Sequence, residues 1–307
     1  MAHPITVGLD GTAESMAAAD WAAREALLRS LPLDLLHAWK WQPYLYAPLG
    51  DVCIPPNVDA TEPNWAGKML GDAETVLAQR YPGLRISSRD MSEEPVAALL
   101  AASDQARLLV LGSRGLGGLT GFVVGSVAHA VVARTVRPVV LVRAEQRAED
   151  EHDRDKEGEG TTATPYRDVV VGLDLERPDD AVLEFAFDAA GRRAGRLRVV
   201  HGLRLPPYYT RHAGSLGPEL HAQLVAGARK VLNTVLRPWR RKYPGVDVTE
   251  QAFTGGAGLH LVRAARDASL VVVGRRHRHS ALGGHVGPVT QAVLHHATVP
   301  VAVVPHD

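Results

Sequence analysis

A self-repeat constrains this chain more than any other feature. Residues 5–10 read ITVGLD, and residues 169–174 read VVVGLD, 164 positions later. At the same offset LDLLHAW (33–39) falls on LRVVHGL (197–203), so His37 falls on His201. Two further pairs match at an offset of 162: LLVLG (108–112) with LVVVG (270–274), and RPVVLV (137–142) with VPVAVV (299–304). Ordered matches with a two-residue drift mark an internal duplication, and a duplication decides the fold before any local reading does. The 307 residues suit two domains of ordinary size, here 1–144 and 166–307.

Each copy alternates short apolar runs with helix-like stretches. In the first copy the runs lie near 5–10, 33–39, 84–90, 107–111 and 138–143, and the helical stretches at 13–30, 64–80, 93–105 and 126–135. Some runs are apolar on both faces, as covered parallel strands are. The pattern predicts an α/β fold: two tandem doubly wound domains, each a five-stranded parallel sheet of order 3-2-1-4-5 flanked by helices. Residues 40–61, rich in Pro and Tyr, read as an inserted loop, and 204–218 occupies the equivalent place. Between the copies, residues 145–165 (EQRAEDEHDRDKEGEGTTATP) lack large apolar side chains and predict a charged flexible linker. The last strand of each sheet is an apolar edge. Antiparallel pairing of 139–142 with 301–304 would cover both edges, making an intrachain pseudo-dimer to which a second chain could add as a homodimer.

Charge and cysteine content narrow the function classes. Lys plus Arg and Asp plus Glu both number 34, so there is no broad pull toward nucleic acid or an anionic membrane. The single cysteine, Cys53, precludes an intrachain disulfide and suits a reducing compartment. The first residues lack the basic-then-apolar pattern of a secretory signal. No apolar run approaches the ~18 residues of a membrane span. The expectation is a soluble cytoplasmic protein with no nucleic-acid or membrane partner.

The most informative segment is 111–127, LGSRGLGGLTGFVVGSV. It begins as an apolar strand ends, carries six glycines, and runs into a helix near Ser126. Glycine lets the backbone approach a ligand closely. Free N–H groups in such a loop, together with the positive end of the following helix, form an anion cradle suited to phosphate. Ser126 can cap that helix or donate to a phosphate oxygen. The second unusual segment, Gly8-Leu9-Asp10-Gly11-Thr12, ends the first strand. In an order 3-2-1-4-5 sheet, ligands sit where the winding reverses, between the first and fourth strands. Asp10 and Gly112 therefore converge on one crevice, where Asp10 can accept from ribose hydroxyls or hold Mg²⁺. The competing readings are structural: a glycine-rich surface loop with a serine cap, and an Asp10 that caps the first helix.

Together these residues resemble the tandem form of the universal stress protein family. Its ATP-binding signature, G-x2-G-x9-G-[ST], is complete at Gly112-Ser113-Arg114-Gly115, nine residues, then Gly125-Ser126. The resemblance covers both copies. It implies ATP as the ligand, with Gly8 and Ala38 lining the adenine pocket and Asp10 at the ribose and Mg²⁺. Gly112, Ser113, Arg114, Gly115, Gly125, Ser126 and Val127 would wrap the ribose and phosphates. It also implies a regulator of stress or dormancy adaptation acting on a protein partner. No true enzyme is expected. The alternatives are a slow Mg²⁺-dependent ATPase and a nucleotide-independent scaffold.

The second copy departs from the signature. It reads Gly274-Arg275-Arg276-His277, nine residues, then Gly287-Pro288, so a histidine replaces the second glycine and a proline replaces the serine. Proline removes an N–H and offers no hydroxyl. Leu175-Glu176 stands in place of Gly11-Thr12, adding bulk and negative charge. Weak or no nucleotide binding is expected there. The arginines of RRHRH could attract an anion. His277, His279, His285, His295 and His296 lack a familiar metal spacing and read as solvated or helix-end residues. His37 and His201 read as hydrogen-bonded core histidines. Trp21, Trp39, Trp41 and Trp65 read as packing residues, with Trp39 or Trp41 at the edge of an adenine pocket.

Overall fold

A computed structural model describes residues 3–40, 62–113, 124–203, 217–277 and 285–307. The first half contains β1 (Ile5–Leu9), α1 (Ala13–Arg29), β2 (Leu33–Trp39), α2 (Glu62–Arg80), β3 (Ile86–Ser92), α3 (Pro95–Gln105), β4 (Leu108–Ser113), α4 (Ser126–Arg134) and β5 (Val139–Arg143). The second half contains β6 (Asp168–Gly172), α5 (Asp180–Arg192), β7 (Leu197–Leu203), α6 (Pro218–Lys242), β8 (Val248–Thr254), α7 (Ala257–Ala265), β9 (Ala268–Arg276), α8 (Pro288–His296) and β10 (Val301–His306). None of the described helices is long and apolar enough to cross a membrane.

The two halves share one ten-stranded sheet of order β3-β2-β1-β4-β5-β10-β9-β6-β7-β8. Within each half the strands are parallel, in the expected 3-2-1-4-5 order. At the seam β5 and β10 pair antiparallel, with Val301 opposite Leu141 and Val303 opposite Val139. The apolar last strands thereby cover each other's edge within one chain, removing the exposed backbone that would otherwise seek a partner.

Central strands explain the apolar runs. Val169, Val170 and Val171 in β6 are all fully buried, because helices cover both faces of the sheet. On one face α1, α2, α5 and α6 pack around Trp21 and Phe187. On the other, α3, α4, α7 and α8 pack around Leu99, Val131, Leu261 and Val293.

The segment expected to be a flexible linker has structure of its own. It forms a 3-10 turn at Ala148–Glu151 and isolated bridges pairing His152 with Tyr166 and Arg154 with Gly160. Glu151 is buried and receives Arg24 Nη2 at 2.6 Å. Glu25 of α1 lies between Arg29 of its own helix, at 2.6 Å, and Arg193 of the second half, at 2.7 Å. Composition failed here because it assumes that a charged segment stays in water. A buried carboxylate is tolerated when arginines pair with it, and the arginines nearest Glu151, Arg24 and Arg193, are far from it in sequence.

Candidate functional site

The site is built where β1 and β4 part. Their pairing ends at Val7 opposite Val110, although β1 runs on to Leu9 and β4 to Ser113. The strands therefore open a crevice at their carboxyl ends, at the point where the winding reverses. The first turn of α1 forms one wall. Thr12 is its N-cap, its Oγ1 accepting from Ser15 N at 3.2 Å. Asp10 is exposed and shapes the turn before the helix: its Oδ1 accepts from Thr12 Oγ1 at 2.6 Å and from Thr12 N at 3.1 Å. The cap reading of Asp10 is thus replaced by a support role, with the carboxylate holding the residue that caps.

Ser15 ties the two motif segments together. Its Oγ accepts from Asp10 N at 3.3 Å, and its backbone nitrogen lies 2.8 Å from where a Cβ on Gly112 would stand. Gly112 is glycine because α1 approaches β4 this closely. Gly8 also has a packing reason, since a Cβ there would meet Leu111 at 2.8 Å and Leu99 at 3.1 Å. Ser113 Oγ donates to Val142 O in β5 at 3.1 Å. Ala38 sits half-buried, just past the last β1–β2 pair.

Opposite this wall begins α4. Gly125 is its N-cap, with no side-chain capping bond, so Ser126 is the first helical residue rather than the cap. Ser126 and Val127 are exposed. A helix start of this kind presents unpaired N–H groups and the positive dipole end to whatever occupies the crevice. Arg114 and Gly115 of the signature, and Trp41, lie outside the described residues.

Three crevice residues were not singled out by sequence reasoning as site residues. Ser15 is one, serving as the tie described above. Trp65 is half-exposed rather than core. Its ring lies 2.9 Å from where a Cβ on Gly11 would stand, and it meets His37 edge-on at 5.7 Å. Arg143 ends β5 as the register neighbour of Ser113, and burial lowers its guanidinium to about 10, which leaves it charged at neutral pH. No sequence signal pointed to Trp65, because its contact with Gly11 joins residues 54 positions apart. His37 is buried as expected and His201 is only half-buried; their Nδ1 atoms sit on Leu9 O at the end of β1 (2.7 Å) and on Leu173 O just past β6 (2.9 Å).

The equivalent crevice of the second half is laced by its own side chains. Helix α5 starts three residues late relative to the repeat, capped by Asp179. The His306 ring fills the space beside Gly274, where a Cβ would meet its Nε2 at 2.7 Å. Thr290 Oγ1 donates to Gly274 O at 2.9 Å, and Arg276 faces Asp174 at 3.9 Å. The anion reading of RRHRH changes accordingly: Arg276 faces a carboxylate, Arg275 is buried against carbonyls, and Arg278 lies outside the described residues. Among the described residues, no group of three or more His, Cys, Asp or Glu side chains could hold a metal.

Fold and site define a class: a tandem doubly wound α/β protein with a motif-bearing crevice at the switch point of its first half. Both halves match the model of the Universal stress protein family, over residues 1–143 and 165–305, and the chain belongs to that family. A universal stress protein of Mycolicibacterium smegmatis is 31% identical, covering 98% of this chain and 97% of its own. Universal stress protein Rv2005c of Mycobacterium tuberculosis is 30% identical, with 98% and 96% covered. Among solved structures, a universal stress protein from Archaeoglobus fulgidus superposes with a TM-score of 0.64 at 17% identity, covering 99% of each chain.

Proposed function

We propose that the first half binds one adenine nucleotide, ATP with Mg²⁺, and that occupancy of this crevice regulates a protein partner in stress or dormancy adaptation. The observation that carries the reading is the asymmetry of the two crevices. In the first half, the Asp10 turn and the α4 start, which has no side-chain cap, flank the parting of β1 and β4, and the full G-x2-G-x9-G-[ST] spacing joins them in sequence. In the second, His306, Thr290 and Arg276 occupy the corresponding ground, and Pro288 replaces the serine. In this reading the N–H groups of Ser126 and Val127 hold phosphate oxygens, Asp10 serves the ribose and the metal, and Trp65 borders the base.

The test is titration calorimetry with ATP and Mg²⁺ on the full chain and on Ser126→Glu. A glutamate in the first turn of a helix does not destabilise it, but it places negative charge where phosphate would sit. Wild type should take up about one nucleotide per chain, and the variant should bind at least ~30-fold more weakly, the size of one lost and reversed charge interaction. No binding by wild type would overturn the reading. Equal binding by the variant would move the phosphates elsewhere.

A further inference from the structure

Strand β9 ends in Gly274-Arg275-Arg276, where β4 ends in Gly112-Ser113 followed by Arg114. Ser113 keeps its hydroxyl within its own half, on Val142 O. Arg275 stands at the equivalent position, and its side chain leaves its own half altogether. It is 3% exposed, and its guanidinium crosses the β5–β10 seam to the far end of α4. Nη1 donates to Ala133 O at 3.1 Å, and Nη2 donates to Thr135 O. Among the described residues no carboxylate pairs with Arg275, so the negative end of α4 is what compensates its charge.

We propose that Arg275 is a positioning residue for the first half's phosphate cradle: the second half, having lost the motif, supplies the anchor at one end of the helix whose other end receives the phosphates. This rests on the nucleotide reading above. The helix has nine residues, a length at which isolated helices are marginal. Ala128, Val131 and Val132 hold its middle against the core, and the contacts at its ends limit how far it can tilt or slide there. The N-terminal end has no side-chain cap. The C-terminal end has Arg275, together with Thr135 Oγ1, which donates to Ser103 Oγ at 3.2 Å. A short rigid rod held at its tail presents its head in one place.

The experiment compares wild type, Arg275→Gln and Arg275→Lys as full chains. Amide hydrogen exchange is measured without nucleotide, followed by ATP titration. In R275Q, exchange over α4 should rise about tenfold while α8, its equivalent in the second half, keeps the wild-type rate; R275K should recover part of the protection. ATP affinity should fall about three- to tenfold in R275Q, with R275K between. Unchanged exchange in α4 would overturn the proposal. So would a uniform rise in both halves, which is general destabilisation, or a loosened α4 with undiminished affinity. Absence of ATP binding by wild type would overturn the nucleotide reading itself, and with it the positioning role, whatever the exchange shows.

Discussion

Gly112 illustrates how one residue serves two arguments. In the sequence it looks like a ligand-binding glycine. In the structure the backbone of α1 already demands it, since a Cβ would stand 2.7 Å from the Glu14 carbonyl carbon and 2.8 Å from Ser15 N. Backbone cannot step aside, so Gly112→Ala should cost about 1–3 kcal/mol, the usual range for overpacking. Gly8 is crowded as closely, but by methyl groups of Leu111 and Leu99, which can rotate. Gly8→Ala should cost less than Gly112→Ala, by denaturant midpoints at constant slope. The reverse order would mean that α1 shifts easily, and that the crevice wall is softer than its hydrogen bonds imply. Spacing exposes a glycine but does not reveal which neighbour forbids its side chain. The fit of the motif and the needs of packing were therefore indistinguishable in the sequence at this position.

At the scale of elements, strands were the most legible. Expected runs at 33–39 and 107–111 became Leu33–Trp39 and Leu108–Ser113, because strands covered on both faces are mostly apolar, the buried Asp34 and His37 of β2 being satisfied by Arg89 and Leu9 O. Helix starts were harder, because several Ser, Thr and Asp residues compete for each cap. Thr12 caps α1 while Asp10 braces it, and Gly125 rather than Ser126 caps α4. Thr12→Ala removes both the cap bond to Ser15 N and the hydroxyl held by Asp10. The variant should lose about 1 kcal/mol of stability, as N-cap deletions do, read as a lowered thermal midpoint. Asp10→Ala leaves the Thr12 cap in place and should lose less. If D10A proved the more damaging of the two, the carboxylate would be the principal support of this turn.

Among the described residues the seam is fastened by β5 to β10 within the sheet, by Arg275 on α4 on one face, and by a buried ionic cluster on the other. Only the first was legible, as two apolar edges in want of cover. The cluster joins residues more than a hundred positions apart, and no local pattern announces such pairs. Arg193 and Arg29 both reach Glu25, and Arg29 also reaches Asp188 of α5 at 2.6 Å. Removing one partner of a buried pair leaves charge uncompensated, so Glu25→Gln should destabilise the chain by roughly 3–5 kcal/mol near neutral pH. The pH dependence carries the sign. Burial alone would raise the Glu25 carboxyl, but Arg193 and Arg29 outweigh it and hold the group below its ordinary value. A depressed folded value stabilises above the unfolded value of about 4.3 and loses that contribution as pH falls through the folded one. The gap between wild type and E25Q is therefore full at pH 7 and closes in acid. Glu151 is shifted the other way, because burial outweighs Arg24 and Arg193. Its folded state keeps the proton more tightly than the unfolded chain, so its contribution is present at low pH and fades as pH rises. Wild type should accordingly gain on Glu151→Gln as pH falls while it loses its advantage over E25Q. Denaturant titrations of the three proteins at several pH values measure both gaps, and parallel curves would show that the two carboxyls are not shifted in opposite directions.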